Sequence, residues 1–345
     1  MSRGSIPILL SFQQASFVLI LILALLVQSA GEWFKVSLNS PASSFSFVAV
    51  TWPSEGTVLA CGQSGYGIIL RSTNYGIGWS QVYSTESSSG AVLRGLTSQT
   101  VIANSVTYYM AVDGNRNTYV SNGTGQVWMR AGSRAESGLF SAAIGTNGLA
   151  FNVGAGNGVR RSSYTTSFTS WISLSTGADG AFWYDVSTVD GVNLIIVGAD
   201  GLIYYSSSSG TTWTSGDSGT TNDIYCVSHA PSSLTIAMTA GALGYLAKTE
   251  NGGSTWTVMP AFPSDYTARF RSISLLTTSE AYVAAYNASE ASSGVIYRTV
   301  DGGVTWGLIA TVNDQIYSLG MYTSTYGVAG ASAGLFTLVP GWIYT

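Results

Sequence analysis

The sequence predicts an all-β protein built from seven similar sheets, and two repeated patterns support this prediction. The first is a turn motif, Ser/Thr-x-Asp/Asn/Ser-x-Gly-x-Thr/Gly-Trp, which is clearest at 299–306 and recurs at 249–256, 206–213 and 72–79. A short polar side chain that bonds nearby backbone, followed by a glycine with positive φ, is typical of a β-hairpin turn. The tryptophan then begins the returning strand and offers a large apolar ring for packing.

The second pattern is the spacing of these tryptophans. The interval ranges from 36 residues (Trp306 to Trp342) to 50 residues (Trp256 to Trp306). The full set is Trp33, Trp79, Trp128, Trp171, Trp213, Trp256, Trp306 and Trp342. Such a period fits a four-stranded propeller blade. Three strand families with seven members each fill the intervals. We therefore predict a seven-bladed β-propeller of four-stranded antiparallel blades.

Each blade is predicted to contain one strand from each of the three families, placed in order from the propeller axis outward. A fourth, outer strand begins at the motif tryptophan. The innermost strands begin at Phe45, Leu93, Phe140, Tyr184, Ile224, Phe270 and Ile316. The second strands span 58–62, 109–114, 150–154, 194–198, 234–238, 282–285 and 326–330. The third strands span 67–71, 117–120, 158–161, 201–205, 244–248, 294–298 and 334–338. These segments are rich in β-branched and aromatic residues, and Gly, Ser, Thr and Asn separate them.

The two ends of the chain are predicted to meet in one blade. Trp33 precedes the first innermost strand by the spacing seen in the other repeats, so 33–36 is predicted to be the outer strand of a blade whose other strands are C-terminal. The competing closure uses 342–345 as that strand. Either arrangement removes the exposed sheet edges of an open array.

Composition restricts the function classes. Only 9% of the residues are charged, 46% are hydrophobic, and the formal net charge is −4. These values suit a compact all-β protein with a polar, uncharged surface, and the lack of a basic run argues against nucleic-acid binding. Residues 31–345 are predicted to form a single propeller domain.

Residues 1–30 are predicted to be a secretory signal peptide. After Arg3 no charge occurs until Glu32, the segment 17–27 is apolar, and small residues follow at 29–31. This pattern predicts cleavage near residues 29–31 and a secreted or extracytoplasmic location. The alternative is an uncleaved signal anchor, since the uncharged stretch is long enough to span a bilayer. No other membrane association is expected.

An exported protein meets an oxidising compartment, yet only two cysteines are present. Cys61 and Cys226 fall in predicted strands of blades that are not neighbours, so buried free thiols are expected rather than a disulfide. Asn122 and Asn287 begin glycosylation sequons in predicted turns, which matter only in a eukaryotic host.

The repeated turn resembles the Asp-box (BNR) repeat of sialidases, xyloglucan-cleaving hydrolases and sortilin-type receptors. The longer unit, Gly-x-Ile/Leu-x-Arg/Lys-Ser/Thr-x-Asp/Asn-x-Gly-x-Thr-Trp, is clearest at 294–306 and 244–256. It is most similar to the photosystem II stability/assembly factor family of seven-bladed propellers. The resemblance covers residues 33–342 as a repeat pattern. It implies the fold and leaves the function open, because this propeller hosts both hydrolases and non-catalytic binding proteins.

In the assembly-factor family, basic residues on the propeller surface are implicated in partner binding. Arg71, Arg161, Lys248 and Arg298 each stand just before the Ser/Thr of the turn motif. The resemblance therefore implies a basic ligand-binding patch at these positions. The alternative is that each side chain covers its neighbouring apolar strand with its aliphatic stem.

The residues that an enzyme of this kind needs are mostly missing. The sequence has no Phe/Tyr-Arg-Ile-Pro segment and no assignable Tyr/Glu pair, so sialidase activity is not expected. A glycoside hydrolase would still need two facing carboxylates, for which Asp185 and Asp223 are the candidates. Asp223 is equally explained as the end of a turn. His229 is the only histidine and cannot by itself form a metal site or a triad, so no metal or cofactor is expected.

The second position of the innermost strands gives the main binding-site hypothesis. It is occupied by Ser46, Arg94, Ser141, Asp185, Tyr225, Arg271 and Tyr317. One such residue from each blade would form a ring at the mouth of the central channel, and Arg and Tyr are enriched at binding hot spots. We expect a ligand at Arg94, Asp185, Tyr225, Arg271 and Tyr317. The alternative is a ring that only solvates the channel, with Asp185 paired to Arg94 or Arg271.

These observations favour a secreted or extracytoplasmic, monomeric, non-enzymatic binding or assembly scaffold for a protein or glycan partner. One alternative is a glycoside hydrolase that uses Asp185 and Asp223. A second is a protein that acts like a photosystem II assembly or stability factor.

Overall fold

The computed structural model describes residues 32–38, 45–85, 91–156, 158–259, 268–287 and 293–340. In this part of the chain the protein is an all-β, seven-bladed propeller of four-stranded antiparallel sheets. The only helical elements among these residues are three short 3-10 turns, at Tyr164–Thr166, Ala199–Gly201 and Ala242–Gly244. Within the same residues no helix is long and apolar enough to cross a bilayer. The predicted signal peptide lies outside the described residues.

The strands follow the chain in order from β1 (Glu32–Lys35). Blade 1 contains β2 (Ser46–Ser54), β3 (Thr57–Gln63), β4 (Gly67–Ser72) and β5 (Ser80–Ser84). Blade 2 contains β6 (Leu93–Val101), β7 (Val106–Asp113), β8 (Thr118–Asn122) and β9 (Met129–Arg130). Blade 3 contains β10 (Leu139–Ile144), β11 (Leu149–Gly154), β12 (Val159–Ser163) and β13 (Ile172–Leu174).

Blade 4 contains β14 (Trp183–Thr188), β15 (Leu194–Gly198), β16 (Ile203–Ser206) and β17 (Thr214–Gly216). Blade 5 contains β18 (Ile224–His229), β19 (Ala237–Gly241), β20 (Leu246–Thr249) and β21 (Thr257–Val258). Blade 6 contains β22 (Ala268–Leu275), β23 (Ala281–Asn287), β24 (Gly294–Thr299) and β25 (Gly307–Val312). Blade 7 contains β26 (Ile316–Met321), β27 (Gly327–Ala331) and β28 (Gly334–Val339), and β1 completes it.

The N-terminal strand closes the ring. β1 pairs antiparallel with β28, and Trp33 lies opposite Leu338. The innermost strand of each blade packs against that of the next, and β26 packs against β2. The structure therefore has the closure predicted for residues 33–36. The competing strand, residues 342–345, lies outside the described residues.

Hydrophobic clusters fill the boundaries between neighbouring blades, one cluster at each of the seven boundaries. Each cluster receives one motif tryptophan; for example, Trp79 packs between blades 7 and 1, and Trp256 between blades 4 and 5. A sheet buries both faces only when another sheet covers each of them, so the ring supplies every blade with its core. The motif tryptophan therefore packs as predicted, and the structure shows that it does so at the boundary between two blades.

Hydroxyl groups join the innermost strands across these boundaries. The Val50 N–H donates to Ser318 Oγ at 3.0 Å, and the Leu319 N–H donates to Ser272 Oγ at 3.0 Å. Buried backbone groups need such partners. This explains why serine recurs in strands that are otherwise apolar.

One predicted strand lies elsewhere than expected. The second strand of blade 5 was predicted at 234–238, whereas β19 spans Ala237–Gly241. Leu234 is 44% exposed in the preceding loop. The strand itself contains mostly small residues, so the pattern of large apolar residues pointed three positions too early.

Candidate functional site

A β-bulge interrupts the start of every innermost strand. In β2 the pairing with β3 shifts between Phe47 and Ala49, which leaves Val48 outside the ladder. The other six innermost strands shift in the same way. A bulge re-aims the side chain of its extra residue. The seven extra residues, here named the bulge ring, are Val48, Arg94, Phe140, Tyr184, Tyr225, Arg271 and Tyr317.

The bulge ring lines one cavity of about 340 Å³, here named the funnel. Ser46 and Gln63 complete its lining. The residue before each ring member is apolar and at most 1% exposed, in the order Phe47, Leu93, Leu139, Trp183, Ile224, Phe270 and Ile316. Because these side chains are fixed between blades, the next side chain along each strand turns toward the axis.

The structure brings together part of the predicted ring. Arg94, Tyr225, Arg271 and Tyr317 are members of the bulge ring, and Ser46 lies beside it. Ser141 and Asp185 do not line the funnel, so their assignment to the ring was wrong.

The misplaced positions have a common cause. In blades 3 and 4 two large side chains are adjacent, Leu139-Phe140 and Trp183-Tyr184, and the sequence alignment took the second of each pair as the buried one. The ring residue predicted for these two blades therefore lies one position too late in the chain. In blade 1 the alignment used Phe45 in place of the buried Phe47, so the predicted ring residue lies two positions too early. The residues missed in this way are Val48, Phe140 and Tyr184.

Aromatic and guanidinium groups form a continuous wall around most of the funnel. Arg94 Cζ lies 4.7 Å from the Phe140 ring centroid, and Phe140 meets Tyr184 at a centroid distance of 5.7 Å. Tyr184 meets Tyr225 at 5.6 Å, and Arg271 Cζ lies 4.4 Å from the Tyr225 centroid. Cation–π contacts of this kind contribute about 0.5–2 kcal/mol each. The wall is therefore held in place before any ligand arrives.

The funnel also contains polar atoms without partners. Arg94 and Arg271 form no salt bridge with any described residue. Arg271 Nε and Gln63 Oε1 are buried without a hydrogen bond to the described part of the chain, although Arg271 Nη2 donates to Tyr286 Oη at 3.3 Å. A buried donor or acceptor without a partner is costly. A ligand that supplies partners would remove this cost.

Asp185 occupies a seam between blades. Its carboxylate accepts hydrogen bonds from Ser141 Oγ at 2.6 Å, from the Val227 N–H at 2.9 Å and from the Val186 N–H at 2.9 Å. Burial raises the pKa of Asp185 to about 6, although these donors oppose the rise. The carboxylate joins blades 3, 4 and 5, and it pairs with neither Arg94 nor Arg271.

Asp223 lies in a turn immediately before β18. It accepts a hydrogen bond from the Asp200 N–H at 3.2 Å. Neither Asp223 nor Asp185 lines the funnel. The structure therefore does not place the two carboxylates across that cavity, as the glycoside hydrolase alternative would need.

The four basic residues before the turn motif lie in the third strands of four different blades. Arg161 Nη1 donates to the Ser209 carbonyl at 2.7 Å. Lys248 pairs with Glu250 at 2.8 Å, and Arg298 pairs with Glu280 at 2.8 Å. Arg71, in β4, is the fourth. The structure thus gives three of them internal partners and places none of the four in the funnel.

His229 ends β18, and its Nδ1 lies 2.9 Å from Ser187 Oγ. Burial lowers the pKa of His229 to about 4. No cluster of three or more His, Cys, Asp or Glu residues that could hold a metal occurs within the described ranges. His229 is therefore a neutral strand-end residue at pH 7.

Cys61 in β3 and Cys226 in β18 are buried free thiols. Burial raises the pKa of Cys61 to about 12. Asn122 is the exposed last residue of β8, and Asn287 is the last residue of β23. The two sequons thus begin at strand ends.

Comparison with known proteins supports the fold. No protein-family model matches the sequence, and no curated protein matches it. A solved structure described as YCF48 bound to D1 peptide is similar, with a TM-score of 0.67, 15% identity, and coverage of 89% of this chain and 96% of that chain. YCF48 from Cyanidioschyzon merolae gives a TM-score of 0.66 at 15% identity and covers 89% of this chain and 98% of that chain. The protein therefore shares the propeller fold of these structures.

Proposed function

We propose that the protein is a non-enzymatic binding scaffold that holds an extended segment of a protein partner in the funnel. The observation that carries this proposal is the bulge ring, because it directs one side chain from each blade into a single cavity. Concave sites with a mostly aromatic wall and a few polar groups are typical ligand sites. The similar propeller described as bound to D1 peptide supports a peptide as the ligand.

The chemistry of the funnel favours an acidic or aromatic segment. Its lining contains two guanidinium groups, Arg94 and Arg271, and no carboxylate. Guanidinium groups bind carboxylates through paired hydrogen bonds, and aromatic side chains stack on the tyrosine wall. We further propose that the protein acts as a monomer and is exported by the segment 1–30.

We also propose a repeat class, a cellular role and an alternative ligand for the protein. The turn motif supports membership of the Asp-box class of repeats. Both the resemblance of the repeats and the YCF48 neighbours support a role like that of a photosystem II assembly factor. A glycan is the alternative occupant of the funnel, since tyrosine rings also stack on sugars.

The test is binding of the purified protein to arrays of acidic, neutral and basic ten-residue peptides, followed by fluorescence anisotropy on the peptides retained. Arg94→Ala and Arg271→Ala should each weaken the affinity for acidic peptides by about tenfold, the usual effect of losing a charged hydrogen bond. Arg71→Ala removes the same charge outside the funnel and should have no effect. The melting temperature of each variant reports whether the fold is intact.

Unchanged affinity in both funnel variants would place the binding surface elsewhere. Retention of glycans and not of peptides would replace the peptide with a sugar. Turnover of a glycan substrate that disappears in Asp185→Asn would replace the scaffold with a hydrolase.

A further inference from the structure

A second cavity, of about 680 Å³, lies over blade 2 on the same face as the funnel. It is here named the arginine cleft. Its lining comes from three segments: Tyr83 and Thr85 at the end of β5, the turn between β7 and β8, and the segment between β9 and β10. Arg116, Arg130 and Arg134 all line this cavity, and the funnel residues do not.

One of these guanidinium groups, that of Arg134, is oriented by the protein itself. Arg134 Nε donates to Asn117 Oδ1 at 3.1 Å. Asn117 is in turn fixed by the buried Asp113 carboxylate, which accepts from the Asn117 N–H and from Nδ2, both at 2.8 Å. The exposed Arg116 has only a long contact, 3.5 Å from Nη1 to the Glu136 carbonyl oxygen. The direction of the Arg134 fork is therefore set before a ligand binds.

Among the described residues, the cleft carries more positive than negative charge. Arg116, Arg130 and Arg134 form no salt bridge within the described residues, whereas Lys35, Lys248 and Arg298 each have a carboxylate partner. Among the described lining residues, Glu136 is the one carboxylate, and the buried Asp113 lies behind Asn117 and Tyr119. Three arginines against these two carboxylates leave a formal charge of 3 − 2 = +1 in a chain whose net charge is −4. This local excess of positive charge favours an anion.

We propose that the arginine cleft binds a phosphate or sulfate monoester. A tetrahedral oxyanion offers several acceptor oxygens to converging guanidinium forks, more than a planar carboxylate can offer. The cavity is much larger than the anion alone, so it also accommodates the group that carries the ester. Tyr83 and Tyr119 supply apolar walls for that group. The lining of the cleft shares no residue with that of the funnel.

The test is isothermal titration calorimetry of the full chain at low ionic strength, where surface charges are least screened. The probes are inorganic phosphate, inorganic sulfate, phosphotyrosine and a sulfated monosaccharide. Arg116→Ala and Arg134→Ala should each weaken binding by about tenfold or more. Arg134→Lys should also weaken it, because a lysine keeps the charge without the fork. Arg269→Ala removes an exposed arginine of blade 6 and should change nothing.

A higher affinity for phosphotyrosine than for the sulfated sugar would identify a phosphorylated ligand, and the reverse order a sulfated one. No measurable heat with any probe would overturn the proposal. Equal weakening by Arg269→Ala would also overturn it, because the attraction would then be diffuse. Arg271→Ala, in blade 6, should leave anion binding unchanged, so failure of the peptide site and failure of this site are separable.

Discussion

In the four clear copies of the repeated turn, a hydroxyl accepts a hydrogen bond from the backbone of the motif glycine. Thr299 Oγ1 accepts a hydrogen bond from the Gly303 N–H at 2.9 Å, and Ser72 Oγ accepts one from the Gly76 N–H at 3.0 Å. The Asp/Asn/Ser of the motif, two residues further along, binds the second half of the turn: Asp301 Oδ1 accepts a hydrogen bond from the Thr305 N–H at 2.9 Å. The Ser/Thr of the motif is therefore a structural residue.

Replacing this hydroxyl tests its contribution. Thr299→Val keeps the shape of the side chain but leaves the buried Gly303 N–H without a partner. We expect the free energy of unfolding to fall by about 1–3 kcal/mol, measured by urea denaturation. Thr299→Ser retains the hydroxyl and should lose much less. Equal losses in the two variants would mean that the methyl group, and not the hydrogen bond, matters.

Two buried titrating residues give the stability opposite dependences on pH. The pKa of His229 falls from 6.5 to about 4 in the fold, so the unfolded chain binds more protons between these values and stability is lost as pH falls. The pKa of Asp185 rises from 3.8 to about 6, so the folded chain binds more protons and stability is gained as pH falls. Each effect amounts to about 3 kcal/mol.

Single variants should separate the two effects. Asp185→Asn lacks the stability that the aspartate gains on acidification, so its melting temperature should fall, relative to wild type, between pH 6 and pH 4. His229→Gln lacks the stability that the histidine loses, so its melting temperature should rise, relative to wild type, between pH 6.5 and pH 4. Calorimetric scans across this range measure both slopes. Parallel curves for the three proteins would contradict the prediction.

At the scale of the strand, the bulge of blade 4 lies beside a glycine that pairs with Trp183. A Cβ added to Gly198, at the end of β15, would lie 2.1 Å from the Phe182 carbonyl oxygen. We expect Gly198→Ala to destabilise the fold by about 3 kcal/mol, because the clash is with backbone. Gly307→Ala, where a Cβ would meet nothing within 4 Å, is the control. Urea denaturation compares them, and similar losses would refute the steric argument.

The strands themselves could be predicted because their determinants are local. The turn motif fixes where each third strand ends, and alternating apolar residues mark the strand before it. Blade 5 shows the limit, since Ala237–Gly241 consists mainly of small residues whose burial comes from neighbouring blades.

The funnel could be predicted only in part, because a bulge is a property of pairing between strands. Arg94 and Arg271 were found because each follows a single large apolar residue. Tyr184 was missed because Trp183 beside it is equally apolar, and only the pairing of Trp183 with Gly198 shows which of the two is buried. The arginine cleft could not be predicted, since its arginines lie in the β7–β8 turn, at the end of β9 and in the following segment, which meet only in the fold.

At the scale of the whole molecule, closure depends on four residues. β1 supplies the last ladder of blade 7, and Trp33 packs in the cluster between blades 6 and 7. A chain beginning at Val36 should have a free energy of unfolding roughly 3 kcal/mol lower than one beginning at Glu32. The reasons are the loss of this aromatic side chain and the exposure of the β28 edge. Differential scanning calorimetry measures the difference. Identical curves would mean that another segment replaces β1.

In the proposed ligand site, the bulges separate most side chains that line the funnel from those that hold the blades together. A bulge residue takes no part in the strand ladder, and the fully buried side chain is that of the residue before it. Val48 is the exception, because it also packs against the core between blades 1 and 2. If the funnel is the ligand site, substitutions at Tyr225 or Tyr317 should alter what it binds and leave the strand ladders intact. A propeller of this kind could then change its partner through a few side chains at one end of its innermost strands.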